Sequence, residues 1–201
     1  MFEVGDFVVK ANNGICRIDD IGYLDIASAN KKRLYFYLVP LEESNTKLYV
    51  PVDKKDNGIR KVVTEEEAWK LIDEIPEIEE AWITDDKQRE QKYKETIQSC
   101  DLEKLISIIK NMYNRKQKRT AMGKKSTSID EHFFKVAENN LYTELAFAIG
   151  KNKEDMRQII CEKIAAKSNQ WQNIHTIHTI RQCFDNCMWI TPAKIRLLRA
   201  K

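Results

Sequence analysis

The sequence predicts an α+β chain, a small β-barrel followed by about five helices and an extra C-terminal tail. Two observations carry this. Residues 1–60 hold short aromatic and β-branched runs separated by turn residues. From Thr64 onward the apolar residues recur at helical spacing behind capping signatures.

In the first region, Asp6–Lys10 reads as a strand ending at the turn Asn12-Asn13-Gly14. Ile15–Ile18 alternates with period two, and Arg33–Pro40 is bulky and aromatic. Lys47–Val52 follows a polar turn, and residues 25–32 read as an exposed hairpin tip. In the second region, Thr64-x-x-Glu67 is a capping box that opens a helix through Trp69, Leu71 and Ile72, stopped near Pro76. A second helix centres on Tyr93 and Ile97. Asp101 caps a third, whose Leu102, Leu105, Ile109 and Met112 share a face and which breaks at Gly123. Ser128-x-x-Glu131 reads as another capping box, with Phe134, Ala137, Leu141, Leu145 and Ala148 as a stripe and Gly150 as the stop. Asn152–Asp155 begins the last helix, through Ile159, Ile160 and Ile164. The expected division is 1–60, 61–167 and 168–201.

Charge is uneven along the chain. The net charge of +3 over 201 residues hides an acidic block at 61–90, with 4 basic and 11 acidic groups. A basic block follows at 91–135, with 11 basic and 5 acidic groups, and the first 60 residues balance at 9 and 9. Such asymmetry marks either an interaction surface or solvated helix faces that neutralise one another. No apolar run is long enough to span a membrane, and the first residues lack the basic and apolar regions of a signal peptide. Five scattered cysteines fit free thiols in a reducing cytosol. A cytoplasmic protein is expected.

Catalytic chemistry is not indicated. There is no phosphate-binding glycine loop and no nucleophile elbow. Neighbouring acids such as Asp19-Asp20 and Asp85-Asp86 diverge rather than converge, and His132 has no assignable partner. Neither an enzyme nor a cofactor is expected. His175, His178, Cys183 and Cys187 could supply four zinc ligands, but their spacing matches no standard finger. One amphipathic helix accounts for them, and no metal is assigned.

The basic residues Arg115, Lys116, Lys118, Arg119, Lys124 and Lys125, together with Lys110, crowd one helix end and the turn after it. Such density can neutralise several phosphates, and part of it also favours the helix dipole. Lys87, Arg89, Lys92 and Lys94 form a second run near Trp82. An aromatic beside a basic helix can wedge against unstacked bases, although a core or domain-interface role for Trp82 is the simpler reading. Trp69, inside a helix, reads as core. Contacts of this kind are backbone-directed and only weakly sequence-specific.

Several short motifs occur in one order along residues 1–165: Val4-Gly5-Asp6-x-Val8-Val9, Asn13-Gly14, Val50-Pro51-Val52-Asp53, Gly58-Ile59-Arg60-Lys61, Trp82-Ile83-x-Asp85-Asp86-Lys87, Lys92-Tyr93-Lys94-Glu95 and Leu141-Tyr142-x-Glu144-Leu145-Ala146-Phe147-Ala148. In these the chain resembles the CarD/CdnL family of bacterial transcription regulators. Its β half also resembles the polymerase-interacting module of transcription-repair coupling factors. The resemblance implies a Tudor/SH3-like barrel that docks on the RNA polymerase β subunit. It also implies a helical domain that contacts promoter DNA at the upstream edge of the melted bubble and stabilises the open complex. The implied partners are polymerase and promoter DNA, with the protein a monomer associated with the nucleoid through polymerase. The partner-facing strand would be Lys47, Leu48, Tyr49, Val50 and Pro51, with Tyr49 where many members carry a basic residue. Trp82 lies close to, but not at, the position of the family's tryptophan. Residues 168–201 depart from the family. The alternative is a protein-interaction module without direct DNA binding.

Overall fold

The computed structural model describes residues 2–11, 13–24, 32–43, 45–53, 58–81, 83 and 88–170; the side chains of 164–170 are not among those described. The expected hairpin tip lies almost wholly outside these residues, as do Trp82, Lys87, the His175–Cys187 group and the tail from 171.

Five strands come first: β1 Phe7–Lys10, β2 Gly14–Tyr23, β3 Leu34–Pro40, β4 Leu48–Pro51 and β5 Ile59–Lys61. They form one antiparallel sheet in the order β4-β3-β2-β1-β5. The expected barrel is thus a curled half-barrel, with β4 and β5 as its outer strands. Val8, Cys16, Ile18, Phe36, Leu38 and Val50 form its core. Burial there pushes the Cys16 thiol up to about 11 and leaves it inert at neutral pH. The second strand is much longer than Ile15–Ile18. Its register shifts between Ile18 and Asp20, where the Ile21 N–H donates to Asp20 Oδ1 at 2.8 Å. That irregularity breaks the period-two pattern and hides the strand's second half. The three-residue β5 carries too short a pattern to read.

Five helices follow among the described residues: α1 Glu65–Glu74, α2 Arg89–Ser99, α3 Leu102–Ala121, α4 Ser128–Ile149 and α5 Lys153–Gln170. The Thr64/Glu67 capping box is complete, and Asp101 Oδ1 caps α3 through the Lys104 N–H at 3.1 Å. The cap of α4 differs from expectation. Thr127, not Ser128, accepts the Asp130 N–H at 3.1 Å, so Ser128 is the first helical residue rather than the cap. A threonine and a serine stand side by side here, and backbone geometry chooses between them. Gly150 ends α4 at φ +68°, a conformation open to glycine without steric cost. Tyr93, Ile97, Leu105, Ile106, Met112, Ala137, Leu141, Leu145, Met156 and Ile160 belong to a second core, separate from that of the sheet. Trp69 packs on its edge beside Lys163, whose ammonium lies 5.9 Å from the ring centroid.

Sheet and helices meet along α4. Phe7 of β1 packs at a tilt on Phe147, with ring centroids 4.9 Å apart. Arg60 of β5 pairs with Glu144. Glu42, just past β3, accepts from Lys153 Nζ at 3.1 Å and from Thr143 Oγ1 at 3.4 Å.

Candidate functional site

Two surfaces carry the residues singled out by sequence. The first is the outer edge of the sheet. The β3–β4 register pairs Leu38 with Leu48, Tyr37 with Tyr49, Phe36 with Val50 and Tyr35 with Pro51. Just beyond it, the Val52 N–H donates to the Leu34 C=O at 3.0 Å. Bonded pairs alternate in an antiparallel ladder, so Val50 and Leu48 also point their backbone groups at β3. The backbone N–H and C=O of Tyr49 therefore face outward from the last strand of the sheet. Pro51 offers only a C=O on that edge. An open groove of about 450 Å³ runs beside it, lined by Lys10, Asn13, Arg33 and Leu48 to Pro51. The side chains divide by pleat. Val50 is buried in the core, Leu48 and Pro51 are half-buried, and Tyr49 and Lys47 are exposed. Tyr49 meets Tyr37 edge-on, with centroids 5.1 Å apart, and the Tyr37 hydroxyl donates to the Tyr23 C=O at 2.9 Å. Tyrosines, rather than a basic residue, brace this edge. Arg33 and Asp53 clamp its end at 2.6 Å.

The second surface is the basic block, and here the structure sorts the residues. Arg89 is buried beside Tyr93. Arg115 donates to Asp130 Oδ2 at 2.9 Å, while Tyr93 donates to Asp130 Oδ1 at 3.2 Å. Desolvation, and then the charge of Asp130, push the Tyr93 hydroxyl far above its ordinary range, so it remains a donor. These two arginines therefore serve the core. Lys92 pairs with Glu95 at 3.5 Å and Lys94 with Glu90 at 2.7 Å along α2. Lys116 is half-buried, near Glu138. Lys118, Lys124 and Lys125 stand exposed and form no ion pair among the described residues. The α3–α4 turn gathers Arg119 and the two lysines after it. The Lys124 N–H donates to the Arg119 C=O at 2.9 Å, and Arg119 Nε donates to the Lys125 C=O at 2.9 Å. From Lys104 to Ile129 the chain has no acidic residue at all.

Lys110 is a correction to the basic block. Its ammonium donates to the C=O of Pro76, at 3.3 Å, and to that of Ile78. Burial lowers its pKa. Ser107 and Asn111 on the same face donate to the C=O groups of Glu79, at 2.6 Å, and Ala81, at 2.9 Å. Asn114 adds a bond to the Glu80 carboxylate. This polar stripe at i, i+3, i+4 and i+7 straps residues 76–81 onto α3. The spacing is visible in the sequence, but the charge of Lys110 masks it.

No group of three or more metal-ligating side chains occurs among the described residues, and no helix there is long and apolar enough to cross a membrane.

A curled sheet whose last strand turns backbone groups outward has the geometry that docking by strand addition uses. The family model of the CarD-like/TRCF RID domain matches residues 2–63, from just before β1 to just past β5. That model describes an RNA polymerase-interacting domain, and the match over the sheet is consistent with a CarD-like protein. No curated protein matches the chain.

Proposed function

We propose that this protein is a transcription regulator that docks on the RNA polymerase β subunit through the β4 edge and contacts promoter DNA through its helical half. In this reading residues 1–60 are the docking module, 61–167 the DNA-contacting domain and 168–201 an appended extension. The helical half meets the upstream edge of the melted bubble and prolongs the open complex. The observation that carries the reading is the outward backbone of Tyr49 inside the matched domain. A partner strand added there gains main-chain hydrogen bonds whatever its side chains are. The exposed Lys118, Lys124 and Lys125 support the DNA contact, because cations without ion-pair partners can replace the counterions of phosphates. The protein acts as a monomer bound to polymerase in the cytoplasm.

The inward turn of Arg89 and Arg115 favours a second reading, a docking module without direct DNA contact. One experiment separates the two. Open-complex lifetimes are measured on a promoter with and without the protein, alongside capture of the β subunit and footprinting of the DNA. Capture with a lengthened lifetime is expected. Capture with no change in lifetime or footprint selects the second reading, and failure of capture defeats both.

A further inference from the structure

We infer that Glu42 is a positioning residue: it locks the angle between the sheet and the helical half, so that docking through β4 fixes where the helical half lies. The inference rests on the docking and DNA contact proposed above and adds the device that joins them.

Three contacts between sheet and helices carry it, and their places in the sheet differ. Phe7 of β1 and Arg60 of β5 lie on adjacent strands. Both reach one stretch of α4, at Phe147 and Glu144, less than a turn apart. Two points so close define an axis, and by themselves they would let the sheet rock on α4. Glu42 supplies the third point. It follows β3, which β2 separates from β1, so strand spacing sets it about 10 Å to one side of that axis. Its carboxylate accepts from Thr143 Oγ1 at 3.4 Å and Asn139 Nδ2 at 3.5 Å, both on α4. Lys153 of α5 donates to it at 3.1 Å and also donates to Asn139 Oδ1, which closes the network and brings a second helix into the joint.

The same residue stands next to the docking strand. Glu42 lies in the β3–β4 connection, five residues before Lys47. The connection is braced: the Thr46 N–H donates to the Glu43 C=O at 2.9 Å, and its hydroxyl donates to the Glu43 carboxylate at 3.3 Å. A partner held on β4 is thus tied through a short braced segment to α4 and α5. An exposed ion pair adds little to stability. Its effect here comes from leverage, because a bond held away from the axis resists rocking that the two axial contacts permit. Sheet and helices keep separate cores, so loosening the clasp leaves each half folded.

The test uses the full chain, labelled with nitrogen-15. Residual dipolar couplings of sheet and helix amides should fit a single alignment tensor. Glu42→Lys sets a like charge against Lys153 and should split the fit into two tensors, with each half intact. Lys153→Glu should do the same from the helical side. The double reversal, Glu42→Lys with Lys153→Glu, should restore the single tensor. The functional arm follows capture of the β subunit and open-complex lifetime on one promoter. Each single variant should keep capture, and its gain in lifetime should fall roughly fivefold or more, the low end of a coupling between two sites. The double reversal should recover the gain. A single tensor in both single variants overturns the lock. Split tensors with a wild-type lifetime overturn its use in placing the helical half, and so does loss of capture, which would assign the clasp to docking itself. If the wild type captures the β subunit without changing the lifetime, the DNA contact proposed above fails and the placing role falls with it, while the couplings still decide the lock.

Discussion

Arg60 of β5 and Glu144 of α4, 84 residues apart in the chain, form a two-pronged ion pair that joins the sheet to the helices. Arg60 Nη2 donates to Glu144 Oε2 at 2.7 Å, and Nη1 donates to Oε1. The Val63 N–H adds a bond to Oε1 at 3.3 Å, and Arg60 Nε donates to the Cys100 C=O. The Glu144 side chain is 3% exposed, while that of Arg60 keeps 29%. The partners are therefore unequal. Arg60→Ala strands a buried anion and should cost about 3–5 kcal/mol of stability, the range for a broken buried pair. Glu144→Ala leaves a cation that can reach water and an unbonded Val63 N–H, so about 1–3 kcal/mol is expected. Urea unfolding of both variants checks the order. Equal losses, or a larger loss for Glu144→Ala, would contradict the unequal burial argued for the two partners.

Arg115 and Lys118 lie three residues apart in the same basic run, yet the structure pairs the first with buried Asp130 and leaves the second exposed. Arg115 neutralises Asp130, whose side chain is 7% exposed and also accepts from Tyr93. Arg115→Ala should lower stability by about 3 kcal/mol or more. Tyr93→Phe, which removes one neutral donor, should cost about 1–2 kcal/mol. Lys118→Ala should leave the melting temperature unchanged and reduce the salt slope of DNA binding by about one. Thermal melts paired with salt titrations on one duplex separate the roles. A stable Arg115→Ala protein with a reduced slope would place that arginine on the DNA instead.

The difference between those two residues also shows where sequence reading stops. Thr64/Glu67, Asp101 and Gly150 act within a few residues of themselves, and the structure has each where its local pattern puts it. Arg115 depends on Asp130 and Tyr93, which are brought to it by packing of α2, α3 and α4. Nothing in a run of basic residues distinguishes an inward arginine from an outward lysine. Lys110 fails for the same reason, since its carbonyl partners at Pro76 and Ile78 lie over 30 residues away. The proposal of β4 as the docking edge comes from family resemblance. Its outward Tyr49 backbone needed the ladder register, which one strand's sequence does not contain.

The Glu42 clasp has a pH signature. Its carboxyl is held below the ordinary value of 4.5, chiefly by the hydrogen bond from Lys153, with burial opposing. A depressed folded-state pKa means that the fold favours the anion. The contribution is complete above the unfolded value and is lost as pH falls through the lower folded value. Glu42→Gln should thus be less stable than wild type at pH 7, and the gap should close in acid, below the usual carboxylate range. The side chain is 54% exposed, so after screening the gap should be under about 1 kcal/mol and shrink with salt. Melting curves from about pH 7 down to about pH 3 follow it across the carboxylate range. A gap that widens on acidification would contradict the assignment.

Tyr49 offers the sharpest test of docking, because its outward N–H can be removed without touching the ladder to β3. Tyr49→Pro deletes that donor on an edge strand, where proline is tolerated, and leaves the Val50 and Leu48 bonds to Phe36 and Leu38 in place. It also removes the ring that meets Tyr37, so Tyr49→Ala is the control for side-chain loss. If a polymerase strand pairs with β4 through main-chain bonds, Tyr49→Pro should weaken capture of the β subunit by at least tenfold, about 1.4 kcal/mol. Tyr49→Ala should weaken it less, since the backbone donor remains. Circular dichroism and melting temperature should stay close to wild type for the alanine variant and fall by only a few degrees for the proline variant. Equal loss of capture in both, with both folded, would mean that the tyrosine ring carries the recognition and that the strand edge does not.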